Sequence, residues 1–342
     1  MTLNKTLAKT MAVLGISTIG VATSAPIFNA QVFASSDIVT SANTSTQATD
    51  VSYASSSETI TGTKSVYTLP KQPYKNAGMP RGASQDRQAL GYIMQPGAEL
   101  TITNNSDTPI VITLWTNDSQ AMPKATTIKP HQTATITAPN PPVEHTNSKG
   151  EAVGSANDVD LVPFINTPEG DLPAEISIDF SLSGPHKKVP VYNYENNDQE
   201  EFLKNWAEGD SYAIIEGKNF QILLPTDDRE YVENMNEAPK GFDKNGNPVA
   251  VGEGEYVCRN LNDVLHLYDD ILFPTYSKLV GLSEDADEVY NQLVNYKYFY
   301  TADSHGAGSA NYNANRTEIS GYRGWQWLQP EWVIFHETGH GY

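Results

Sequence analysis

The chain has 342 residues, 39% hydrophobic and 10% aromatic, enough for two domains with real cores. Its 41 acidic side chains against 22 basic ones give a net charge of −19, which repels phosphate backbones and anionic surfaces and speaks against nucleic-acid binding. A single cysteine, Cys258, excludes an internal disulfide framework and a cysteine-rich zinc finger.

Residues 1–34 read as a secretory signal peptide. Lys5 and Lys9 form a positive start with no acid nearby, Met11 to Ala22 is apolar but too short to span a bilayer, and Val32-Phe33-Ala34 is a small-x-small cleavage site. The expectation is an exported, extracellular bacterial protein with no membrane span once the signal is removed. Residues 35–78 follow as a Ser/Thr-rich linker and an irregular, proline-containing lead-in that cannot repay its ordering entropy.

From about Ala89 the pattern turns to β. Glu99 to Asn104, Pro109 to Thr116, Thr133 to Ala138 and the alternation of Ile176, Ile178, Phe180 and Leu182 with polar residues predict short half-buried strands. With Pro, Gly and Asn turns between them and no helical period, residues 79–187 are expected to form a β-sandwich.

Beyond Val189 helices enter. Asn197 to Glu208 reads as a short helix capped by Asn197, and Phe220 to Leu224 as a buried strand. Asn262 to Val280 is the longest helical pattern, kinked at Pro274 and stopped by Gly281. Leu293 to Tyr300 returns to β, with Tyr296, Tyr298 and Tyr300 on one face as sheet packing. Asp303 to Ser320 reads as a polar loop, Glu284 to Glu288 as a solvated helix start, Asp243 to Pro248 as a hairpin turn rather than a calcium loop, and Cys258 as a buried structural thiol. A last helix starts near Pro330.

That helix carries His336-Glu337-Thr338-Gly339-His340. Residues four apart share a helix face, so both imidazoles can reach one metal ion, and Zn²⁺ suits them. Glu337 is placed to take a proton from a water on that ion. With 7 His in 342 residues, chance supplies such a motif in roughly one chain in a hundred.

The stretch Trp332-Val333-Ile334-Phe335-His336-Glu337-Thr338-Gly339-His340-Gly341-Tyr342 resembles the active-site helix of the enhancin-like metallopeptidases, secreted or viral zinc peptidases of which several attack mucins. Gly91 to Leu100, Val162 to Ile165 and Val189 to Tyr192 are similar to other segments of that family, so the likeness runs from about Met79 to Tyr342. It implies an α+β chain: an N-terminal β-sandwich followed, over 188–342, by the first part of a zincin-like metallopeptidase domain. It also implies that His336 and His340 are zinc ligands, Glu337 the catalytic base, and protein or glycoprotein substrates, mucins included, the partners.

In that family a downstream glutamate supplies the third ligand. Upstream candidates such as Glu318 or Glu331 have no support in the family pattern, and a metzincin arrangement would need residues past Tyr342. The expectation is therefore a C-terminally truncated, weakly active zinc peptidase. The alternative is a secreted glycan- or mucin-binding module with an inert peptidase remnant.

Overall fold

The structure is a computed structural model. It describes residues 55–71, 85–139, 143–146, 152–156, 160–207, 211–237, 240–242, 248–250 and 257–342, except 289–290, 292, 294–295, 307–308, 314 and 322. The segment expected as a signal peptide and most of the Ser/Thr-rich segment lie outside these residues.

Two four-stranded antiparallel sheets come first. One has the order β1 (Ile60–Tyr67), β8 (Glu175–Ser183), β3 (Glu99–Asn104), β6 (Thr133–Thr137). The other has the order β2 (Arg87–Ala89), β7 (Val162–Asn166), β4 (Ile110–Trp115), β5 (Thr126–Ile128). Alternation sets their inner faces. Val66, Leu100, Ile102, Ile176, Ile178, Phe180 and Leu182 from one sheet meet Leu90, Ile110, Ile112, Leu114, Ile128 and Ile165 from the other in a single core. The irregular lead-in expected up to residue 78 is corrected here. Ile60–Tyr67 is a strand, because Val66 enters this core while Thr61 and Thr63 stay outside.

A six-stranded mixed sheet follows, in the order β9 (Val191–Tyr192), β10 (Tyr212–Glu216), β11 (Phe220–Pro225), β12 (Tyr298–Asp303), β14 (Arg316–Ser320), β13 (Ala310–Asn313). The polar stretch 303–320, expected as a loop, thus contributes two strands. β14 pairs in parallel with β12 and buries Thr317 and Ile319, a tertiary pairing that local polarity conceals. Residues 284–288 are mostly exposed, as expected, but form turns rather than a helix start, with the Ser283 amide donating to the Asn291 carbonyl and the Ser283 carbonyl accepting from the Leu293 amide.

Helix α1 (Gln199–Asn205) is capped by Asp198, not Asn197, its carboxylate accepting the amides of Glu200 and Glu201. Helix α2 (Arg229–Glu233) follows β11. The long helical pattern begins at α3 (Leu261–His266), passes through a π-helical segment (Leu267–Leu272) and ends as α4 (Phe273–Val280). The kink expected at Pro274 is therefore a π segment ending just before the proline, and Gly281 terminates α4 with φ 78°. The short strands Lys240–Phe242 and Pro248–Ala250 pair around residues 243–247, which are not described.

β12 divides the molecule. Tyr298 and Tyr300 face the helices in one core, while Phe299 faces the other way and packs with Trp115, Val162, Phe164, Tyr212 and Leu223. That second core joins the six-stranded sheet to the sheet containing β4 and β7. Three consecutive polar residues run through the seam: Gln85, Asp86 and Arg87, all nearly inaccessible. Gln85 donates to the Asn313 carbonyl (2.8 Å) and accepts from the Phe299 amide (3.0 Å) and the Thr317 hydroxyl (3.2 Å). Asp86 accepts from the Lys297 amide (2.6 Å), the Tyr67 hydroxyl (2.8 Å) and the Thr167 hydroxyl. Arg87 lies over the rings of Trp115 (4.3 Å) and Phe299 (4.1 Å), which touch each other edge-on at 4.7 Å, and donates to the carbonyls of Gln85 and Asn315. Burial pulls its guanidinium down to about 9, against the attraction of Asp86.

A second buried polar anchor is Asp228, at the start of α2. Its Oδ2 accepts the Gly324 amide (2.6 Å), the Trp325 amide also points to it, and Oδ1 has no partner. Burial lifts this carboxyl from 3.8 to about 7.

Replacing Arg87 with Ala strands the Asn315 carbonyl and uncovers the rings of Trp115 and Phe299. The expected loss is about 3 kcal/mol, measured by urea denaturation. Arg87→Lys should not restore it, because an ammonium cannot lie as a plane over Trp115 and Phe299 while donating to two carbonyls. For Asp228 the folded chain holds a proton that the unfolded chain releases between pH 4 and 7. Stability should fall as pH rises through that window, by on the order of 1 kcal/mol per unit from this group. Asp228→Asn should remove that component when midpoints are compared at pH 4.5 and 8.

Candidate functional site

The candidate site lies on α5 (Trp332–Gly339), preceded by Pro330 and by Glu331 in extended backbone. One side of the helix is buried through Ile334, Glu337 and Thr338, while His336 and His340 are exposed. The helical spacing brings the two imidazoles together as the sequence predicts. Their Nε2 atoms are 3.3 Å apart and their rings cross at 83°. Two nitrogens each about 2.0–2.1 Å from one tetrahedral ion stand about 3.3–3.4 Å apart, so the pair fits a shared zinc. Glu337, between them in sequence, is only 6% exposed and sits where the helix meets the core.

Hydroxyl groups from three other elements hold the back of α5. The Tyr300 hydroxyl on β12 pairs with Thr338 Oγ1 at 2.7 Å, and the Tyr276 hydroxyl on α4 donates to the Phe335 carbonyl. Tyr268, from the π segment, donates to the Trp327 carbonyl (2.8 Å) in the turn leading into α5. In that turn the Trp327 indole donates to the Thr301 carbonyl (3.0 Å), and Gln329 bonds both backbone groups of Cys258 (2.9 and 2.8 Å). Burial raises the Tyr268 and Tyr300 hydroxyls well above 10, so both remain neutral donors at any working pH. Tyr298 stacks on Tyr296 and on Tyr342, which makes the tyrosine run sheet packing, as expected. Gly341 fits only without a side chain: a Cβ there would lie 2.1 Å from the Tyr298 hydroxyl oxygen.

The edge strand β13 borders the same region, with the Tyr312 ring 6.1 Å from that of His340. The Trp332 ring stacks on His336 at 4.3 Å and 22°. Neither aromatic was singled out from the sequence, although Trp332 stands one helical turn before His336 and spacing alone could have flagged it. The tyrosine and Gln329 contacts span 38 to 71 positions and carry no local signal.

The remaining candidates lie elsewhere. Cys258 is fully buried and its thiol is pushed well up by burial, which suits a structural role. Glu318 pairs with Arg316, and Glu331 occupies the N-cap position of α5. His305 pairs with Asp118 (2.9 Å) beside Asp303. Among the described residues no group of three or more His, Cys, Asp or Glu could hold a metal ion.

No family model matches the chain. Over 191 residues it is 26% identical to the viral-enhancing factor of Heliothis armigera granulosis virus, a match covering 54% of this chain and 18% of that protein. The ZmpB metallopeptidase from Clostridium perfringens superposes with a TM-score of 0.56 at 14% identity, over 81% of this chain and 53% of the other. The M60 catalytic domain of ZmpC from the same organism, solved in complex with the sialyl T antigen, superposes with a TM-score of 0.56 at 12% identity, over 81% and 52%. The chain thus spans 18% of the length of the viral relative and about half of each solved chain. In sequence it is related to the viral-enhancing factors, and in its sheet-rich α+β fold it is similar to M60 metallopeptidase catalytic modules, in keeping with an enhancin-like resemblance.

Proposed function

We propose that this chain carries the site of a secreted zinc endopeptidase that acts on glycoproteins, mucins among them. In this reading His336 and His340 are zinc ligands and Glu337 is the general base. The two four-stranded sheets form a β-sandwich, and residues 188–342 are the first part of a zincin-like catalytic domain. The observation that carries the proposal is the 3.3 Å convergence of the two Nε2 atoms on an exposed helix face. The metallopeptidase fold and the enhancin relationship support it, and the glycan held by the ZmpC domain supports a glycoprotein substrate.

Zinc at this pair supplies a Lewis acid that acidifies water and polarises a scissile carbonyl. The protein's own part is positional. Glu337, fixed on a helix clamped from behind, takes the proton of the attacking water and returns it to the leaving amine. Among the described residues β13 is the outermost strand of its sheet, and its outer side beside His340, with Asn311 exposed, is suited to an extended peptide. A catalytic zinc takes three protein ligands, and the histidine pair provides two.

Two variants test the reading. Glu337→Gln should retain zinc yet lower glycoprotein hydrolysis about 10²–10⁴-fold, and His336→Ala should lose the zinc, as read by metal analysis and by cleavage of a mucin substrate. Mucin binding that survives both variants and a chelator, with no hydrolysis by any form, would instead favour a binding module with an inert peptidase remnant.

A further inference from the structure

We propose that Trp332 is a positioning residue for His336, holding its imidazole by stacking in the orientation that ligates metal. The inference rests on the reading of His336 and His340 as a zinc-binding pair.

A ligating histidine is ordinarily oriented by its second ring nitrogen, which donates to a carboxylate or a carbonyl. Among the described residues neither His336 nor His340 has such a partner on Nδ1, and the hydrogen-bonding contact between them is Nε2 to Nε2. An exposed imidazole without that bond is free about two side-chain torsions, and binding metal would have to freeze both.

Stacking takes the place of the missing bond. Trp332 lies one turn N-terminal to His336, and side chains four apart on a helix overlap. Its indole covers one face of the imidazole at 4.3 Å with 22° between planes, while the edge-on His340 ring stands 4.8 Å from the same imidazole. With one face covered and a neighbour across it, the ring keeps Nε2 directed at Nε2 of His340.

Two further points favour this role over packing. Trp332 is 58% exposed, the most exposed of the large apolar side chains described, so core burial does not account for a tryptophan there. Coordination also withdraws electrons from the imidazole, and an electron-poor ring gains by lying on an indole face, as a cation does. The stack therefore strengthens when metal binds, which is the condition for raising affinity.

The test is the zinc dissociation constant of the whole chain, by competition with a chromophoric chelator, for wild type, Trp332→Ala, Trp332→Phe and His336→Ala. The thermal midpoints of the metal-free proteins are recorded beside it. Trp332→Ala should weaken zinc binding about three- to tenfold, the range of an aromatic pair, with its metal-free midpoint unchanged. Trp332→Phe, which keeps a flat ring, should restore most of the affinity. A Trp332→Ala constant equal to wild type overturns the proposal even if hydrolysis falls, because the residue then serves substrate rather than metal. A lowered metal-free midpoint in Trp332→Ala that Trp332→Phe does not repair also overturns it, because the effect is then on the helix. Wild-type zinc binding that ignores His336→Ala brings down the metal reading itself and this proposal with it. The two failures are thus distinguishable.

Discussion

The constraint on which this structure rests is that Gln85, Asp86 and Arg87 are polar, consecutive and buried. A buried amide, carboxylate or guanidinium is tolerated only when its hydrogen-bonding groups are met. Here the partners come from both sides of the seam. Tyr67 and Thr167 belong to the paired sheets, while Lys297, Phe299, Asn313, Asn315 and Thr317 belong to the six-stranded one. Sliding one part against the other would leave several donors and acceptors without water or partner, so the seam holds one register. The paired sheets are thus bound into the same structural unit as the helix bearing the histidines.

β12 carries this constraint to the candidate site. Along a strand successive side chains point to opposite faces. Phe299 gives its amide to Gln85 and its ring to Arg87, and Tyr300, the next residue, faces the other way and reaches Thr338 between the two histidines. Behind α5, Tyr276 and Tyr268 add holds from α4 and the π segment. The result is a helix fixed at its back and open at its front. Metal chemistry on a peptide needs that combination, because ligands must hold their positions while a bulky substrate approaches.

What could be read from the sequence follows a physical divide. The strands around Leu100, Ile112 and Phe180 were legible because each has one face in the common core, which forces strict alternation. The histidine pair was legible because four-residue spacing is local. β13 and β14 were not, since Asn311, Asn313 and Arg316 look like loop residues and become strand through pairing with Thr317 to Ser320 and with β12. The seam was hidden for a related reason: Gln85, Asp86 and Arg87 have the composition of a surface turn, and only long-range partners let them be buried. The cap of α1 was missed by one position because Asn197 and Asp198 are both competent caps, and choosing between them takes the backbone angles.

The π segment between α3 and α4 has a consequence for how this chain tolerates change. A π turn holds one residue more than an α turn, so it stores an extra residue inside a continuous helix. Deleting one residue of 267–272 would close the π turn to an α turn and leave everything beyond it facing nearly the same way, whereas deleting a residue of α3 would turn it by about 100° about the axis. Tyr276 would keep its direction toward the Phe335 carbonyl after the first change and lose it after the second. The π segment is therefore a stretch where this helix can lose a residue and still present Tyr276 to α5.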